Sequence, residues 1–233
     1  MSRLVLISNK QCDSKDLACA TQALSPGSTS EAERGLWLGW NGDVQNFGER
    51  PVNYRHNVGY EQVTFPLSID EFCRHYQGYY HDGLWPVFHN QPEKAHFTPE
   101  NYRAYRQLNL HFADIACEYV CPDDIICIDD YQLLPCGQAL KEQGLLNPSA
   151  FFFHLPFPSA ALLRQIPEHR GLIESLFFYD LIGFQSLDDR NNFLSYLASE
   201  YPLEMLPDDQ LQVNGHIFAT GLFPAGINAR KIY

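Results

Sequence analysis

The chain of 233 residues is 45% hydrophobic and 14% aromatic, with a formal net charge of −12. That is enough apolar material for a full core in one large domain or two small ones. With 16 Lys and Arg spread along the chain there is no basic face to gather nucleic-acid phosphates, which excludes nucleic acid as a partner.

A small phosphorylated ligand stays open, because one or two local cations and a helix N-terminus suffice to hold it. No apolar run is long enough for a bilayer, and MSRLVLISN is too short and too soon polar for a signal peptide, so a cytoplasmic chain without membrane contact is expected. The seven cysteines form no CxxC pair and read as reduced, mostly buried thiols. Cys117 and Cys121 stand i, i+4 apart on an expected helix, without the His or Cys needed to complete a zinc set.

RLVLIS (3 to 8) reads as a buried first strand, and residues 11 to 34 as an irregular polar loop with at most one helical turn. LWLGW followed by NGD predicts a strand and a tight turn, and 44 to 67 alternates like a hairpin. Ser68 three residues before Glu71 is a capping box, so a helix starts there, and Pro86 is expected to end it. Thr98 and Pro99 start the next helix. The strand DDIICIDD follows, then a helix to about Gly144, the strand SAFFFHLPF, a helical segment AALLRQIPEHRGLIESLFFYD, the strand LIGFQ, the helix LDDRNNFLSYLASEY, and one or two closing strands in IFATGLFPAGI. Helix and strand alternating from residue 98 onward predict a mostly parallel, Rossmann-like α/β sheet with helices on both faces, preceded by an N-terminal β-hairpin region.

Polar groups stand at the carboxyl ends of three strands: Asn9 and Lys10 after the first, Asp129 and Asp130 after IICI, and His154 after FFF. In a parallel sheet those ends share one edge and one crevice. Carboxylates accept sugar hydroxyls, a lysine neutralises phosphate, and an imidazole can donate to a hydroxyl or oxyanion, which together suit a polyhydroxy ligand bearing a phosphate. Taken singly, Asp129 as a helix N-cap and His154 as a core histidine are equally good accounts. The prolines of HLPFP turn the backbone just after His154, either as a rigid loop or to present the ring. Trp37 is assigned to the core. Tyr76 and Trp85, the latter set before Pro86, offer stacking faces for a sugar ring or simple packing. GxGxxG, GxxxxGK[ST], GxSxG and HExxH are absent.

The segments RLVLISNK, GLWLGWNGD, YYHDGLWPVFH, DDIICIDDYQLLP, FFFHLPFPS, DLIGFQSLDDRNNFL and FPAGI, in this order and spacing, resemble the trehalose-6-phosphate synthase family of retaining GT-B glycosyltransferases. The resemblance covers nearly the whole chain and implies that residues 1–233 form one N-terminal, acceptor-side half of a GT-B fold, with no second nucleotide-sugar-binding domain. It implies transfer from UDP-glucose to glucose-6-phosphate with retention, no metal and no cofactor. By position it carries acceptor contacts to Tyr76, Trp85 and Asp130, a site-lining role to Trp40, a phosphate contact to Lys10, and the place beside the transferred glucose to His154. The partners it implies are the sugar phosphate, UDP-glucose, and a second GT-B domain or a full-length synthase subunit.

Three departures stand out. Lys10 replaces an arginine and loses its bidentate fork. A Gly-Gly-Leu loop is missing from 11 to 34. The family's HDYHLLP reads DDYQLLP, so Asp129 and Gln132 replace two histidines. An extra charge at Asp129 repels a sugar phosphate unless it is paired or turned away. These departures leave two alternatives: a diverged non-catalytic module that binds sugar phosphate or a protein partner, and a synthase for another acceptor such as glycerol-3-phosphate or a cyclitol phosphate.

Overall fold

The computed structural model describes residues 3–9, 35–57 and 60–224. The expected loop at 11 to 34, Lys10, and the FPAGI segment from residue 225 lie outside the described residues.

The described residues form one ten-stranded sheet, in the order β3-β4-β2-β1-β5-β6-β7-β10-β9-β8. Its first strand, β1 (Leu4–Ser8), is apolar at successive positions because both faces are covered. Val5 and Ile7 enter the main core, while Leu6 meets Trp37 and Cys127 on the opposite face. Trp37 is core, as expected.

β2 (Gly35–Val44) continues through NGD where a tight turn was expected. The polar triplet produces a register irregularity between Trp40 and Val44, with Gly42 at φ 89° and the Asn41 side chain accepting from the Asp43 amide at 2.9 Å. The hairpin expected between 44 and 67 is β3 (Asn53–Asn57) with β4 (Tyr60–Leu67), which are antiparallel, while β4 runs parallel to β2.

Helix α1 starts where the capping box placed it: the Ser68 hydroxyl accepts from the Glu71 amide at 3.2 Å, and the Glu71 carboxylate accepts from the Ser68 amide at 2.8 Å. It runs as Ile69–Glu71, a wide π-helical stretch Phe72–Leu84, and an α-helical turn Trp85–Phe88. Pro86 therefore does not end it. Where the π turns give way to α, Pro86 stands in the first turn of the α-helical segment, the part of a helix that tolerates proline best.

Beyond it the chain alternates as expected: α2 (Pro99–Tyr119), β5 (Ile125–Asp129), α3 (Cys136–Glu142), β6 (Ser149–Phe152), then helices, β7 (Leu181–Phe184) and α6 (Leu187–Glu200). The segment expected as one helix is two, α4 (Ala160–Leu163) and α5 (His169–Ser175), broken around Pro167 and closed by the turn Leu176–Phe178. An unanticipated antiparallel extension, β8 (Leu203–Met205) and β9 (Gln210–Val213), precedes the closing strand β10 (His216–Leu222).

Strands β4, β2, β1, β5, β6, β7 and β10 are mutually parallel, with antiparallel edges outside them. From β1 the chain builds first toward β2 and β4, then returns to add β5 on the other side. The direction of winding thus reverses between β1 and β5. At such a switch point the connections leave in opposite directions and open a crevice at the carboxyl ends of the strands.

Candidate functional site

The pairing register sets Gly39, Ser8, Asp129, Phe152 and Gly183 in one row across the sheet. One step further along lie Trp40, Asn9 and Asp130, and His154 follows two residues after Phe152. The strand-tip groups of β1, β5 and β6 are therefore neighbours, as their positions in the sequence suggested. The Lys10 assignment lies outside the described residues.

Asp130 occupies φ 74°, ψ 149°, a conformation costly for a residue with a Cβ. It is held there from both sides: its amide donates to the Phe152 carbonyl at 3.2 Å, and its carboxylate accepts from the Tyr131 amide at 3.0 Å. That second bond caps the turn Tyr131–Leu133, so the capping role considered for Asp129 belongs to Asp130. Asp130 is nearly buried, at 6% exposure.

Asp129 is freed from capping and turns toward His154, with Oδ2 3.4 Å from Nε2. His154 is no core histidine; its side chain is 38% exposed. Its backbone carbonyl accepts from Gln185 Nε2 at 2.8 Å, and its ring lies edge-on to Phe152 at 4.7 Å. The turn after it is tied to α6, because the Phe157 amide donates to Asp189 and the Phe157 carbonyl accepts from Asn192, each at 2.9 Å. HLPFP is thus a rigid loop that also leaves the ring accessible.

The wide turns of α1 line up aromatic side chains beside these tips. Trp40 meets Tyr76 at 5.3 Å between ring centroids, Tyr76 meets Tyr80 at 5.3 Å, and Tyr80 meets both Tyr131 at 5.1 Å and Trp85 at 6.2 Å. Tyr80 links the expected residues Tyr76, Trp85 and Asp130, and its role was not anticipated. Burial pushes its phenol above the ordinary value, and the Asp130 charge acts in the same direction. A tyrosine one turn from Tyr76 and five residues before Trp85 signals such a row only once the helix is known to be π-wound. Trp40 is steadied by its Nε1 donating to the Asp43 carbonyl at 2.8 Å. Trp85 is 37% exposed and stacks on His89 at 3.9 Å.

Beneath the tips, His75 is fully buried on α1, its Nε2 3.5 Å from Asn9 Nδ2 and its ring stacked on Tyr105. Burial pushes its imidazole down to about 3, so it is neutral at ordinary pH. Among the described residues Asn9 Oδ1 is buried at this edge without a hydrogen-bond partner, while the Gln132 side chain meets the Tyr80 hydroxyl. A cavity of about 330 Å³ lies at the other end of the sheet, lined by Asn214 and His216 at the start of β10 and by Phe177 and Phe178 ahead of β7. Among the described residues no three His, Cys, Asp or Glu side chains gather to hold a metal, and no helix is long and apolar enough to cross a membrane.

The family model for glycosyltransferase family 20 matches residues 7–233. The chain belongs to glycosyltransferase family 20. The trehalose-6-phosphate synthase of Klebsiella pneumoniae is 33% identical over 234 residues, an alignment covering 100% of this chain and 49% of that protein. The alpha,alpha-trehalose-phosphate synthase (UDP-forming) of Burkholderia xenovorans, solved in complex with glucose-6-phosphate, superposes with a TM-score of 0.88 at 28% identity, over 99% of this chain and 51% of that one. A solved Escherichia coli chain bound with UDP-2-fluoro glucose gives a TM-score of 0.91 at 31% identity, over 99% and 50%. This family 20 chain therefore spans about half the length of the relatives it matches. Its Rossmann-like sheet is one half of a GT-B fold.

Proposed function

We propose that this chain supplies the acceptor-side half of a trehalose-6-phosphate synthase, the half that holds glucose-6-phosphate while UDP-glucose donates. The family reaction joins UDP-glucose and glucose-6-phosphate into trehalose-6-phosphate and releases UDP. The observation that carries this reading is the switch point between β1 and β5, with Asp130 at its rim and the row Trp40, Tyr76, Tyr80 and Trp85 alongside. Asp130 accepts hydroxyls of the acceptor, Tyr76 and Trp85 supply ring faces for its apolar side, Trp40 lines the crevice, Lys10 meets the phosphate and His154 faces the transferred glucose. Joining two sugars requires both to be held in one closed cleft. A second GT-B domain, or a full-length synthase subunit, completes that cleft, and residues 1–233 alone bind the acceptor without turnover.

Asp129 and Gln132 favour one competing reading, a different phosphorylated acceptor. Calorimetric titration decides between them: saturable heat with glucose-6-phosphate and little with glycerol-3-phosphate supports the synthase reading, and the reverse order supports the other acceptor. Heat with neither ligand at millimolar concentration removes both.

A further inference from the structure

We propose that Asp129 and His154 work as one carboxylate–imidazole unit, in which Asp129 keeps the ring proton on Nε2 and leaves Nδ1 as the accepting nitrogen for a hydroxyl of the bound sugar. The ligand part rests on the sugar-phosphate reading above; the proton placement does not.

A carboxylate oxygen 3.4 Å from Nε2 is at ion-pair distance and longer than an ordinary hydrogen bond, so the two groups act on each other through charge. Facing an N–H, it is attracted; facing a ring lone pair, it is repelled. A neutral imidazole has one nitrogen of each kind, so Asp129 selects the form with Nε2 protonated. The geometry is not left to a loose loop. Asp129 is registered against Ser8 on one side and Phe152 on the other. Gln185 fixes the His154 backbone and Phe152 borders the ring. A carboxylate at a paired strand end and a ring bordered by Asp129 and Phe152 form a preorganised pair.

The chemical consequence reverses the simplest reading of His154. With Nε2–H turned to Asp129, the ring offers an acceptor instead of a second donor. A neutral hydroxyl satisfies it, whereas an oxyanion would face both a lone pair and the Asp129 charge. This end of the crevice therefore takes hydroxyls and turns phosphate away, which places the phosphate of an acceptor elsewhere along the strand tips. The pairing also shows how a second carboxylate is tolerated beside Asp130.

The test is long-range ¹H–¹⁵N correlation of the histidine rings in the full chain. The wild type should show His154 with the proton on Nε2. Asp129→Ala should raise the Nδ1-protonated form by about threefold to fivefold, the scale of an exposed ion pair. Asp129→Asn, which preserves shape, should raise it less, with His75 signals unchanged in both variants as the check on folding. Nδ1 protonation in the wild type, or equal populations in all three proteins, overturns the proposal. Adding UDP-glucose, whose glucose His154 faces, should then shift His154 Nδ1, and adding glucose-6-phosphate should shift the Trp85 indole. A Trp85 shift with glucose-6-phosphate but Nδ1 unmoved by UDP-glucose overturns the acceptor role and leaves the sugar-phosphate reading standing. No shift at either residue overturns that reading and leaves the proton placement decided by the variants.

Discussion

The Asp130 amide donates to the Phe152 carbonyl at 3.2 Å, which carries the β5–β6 ladder one residue beyond the last paired position, Asp129 with Phe152. That bond holds Asp130 at φ 74°, ψ 149°, a region that favours glycine. Strain of this kind persists where the surroundings over-determine it and is concentrated at functional sites.

Asp130→Gly and Asp130→Ala should therefore separate stability from binding. The glycine variant should be more stable than the alanine variant by about 1–3 kcal/mol in urea denaturation. Both should lose glucose-6-phosphate binding by calorimetry. Equal stabilities would mean the conformation carries no strain.

His75 predicts a pH dependence. Its folded value of about 3 lies below the ordinary 6.5, so the unfolded chain binds the proton first. Its contribution to stability is complete above pH 6.5 and is lost as pH falls from 6.5 toward 3. Between pH 7 and pH 5 this loss is about 2 kcal/mol. His75→Gln should show a correspondingly smaller drop across the same interval in urea denaturation; an identical drop would exclude His75 as the source.

Much of the fold was legible because its signals are local. Ser68 with Glu71, and Thr98 with Pro99, mark helix starts through bonds three residues long, and Ile126 to Ile128 mark a strand covered on both faces. Pro86 misled because its cost depends on the turn it occupies, and the change from π to α winding is set by packing along the whole rod. Leu203–Met205 and Gln210–Val213 were missed because strands this short at a sheet edge carry little apolar periodicity. At the candidate site, residue types put Asp130 and His154 at neighbouring strand ends, where the pairing register places them. The exchange of roles between Asp129 and Asp130 depends on one backbone torsion, and the Tyr80 bridge on helix winding, neither of which periodicity records.

Gly39 shows how closely the tip of β1 is approached from β2. A Cβ there would collide with the Ser8 carbonyl backbone and the Trp37 ring. Gly39→Ala should cost about 1–3 kcal/mol and weaken ligand binding by displacing Ser8 and Asn9. Full stability in a melting experiment would show that the two strands have room to part.

Trp85 is partly exposed and Trp37 is sealed in the core. Saturation with glucose-6-phosphate should change the intrinsic fluorescence, and Trp85→Phe should remove most of that change, while Trp40→Phe removes a smaller part. A response that survives intact in Trp85→Phe would place the ligand away from α1.

The most direct test of the acceptor crevice is a crystal structure of the chain grown with glucose-6-phosphate. Sugar density between the tips of β1 and β5, in contact with Asp130, Tyr76 and Trp85, is the predicted result. Density only in the cavity beside Phe177 and His216, at the opposite end of the sheet, would contradict it.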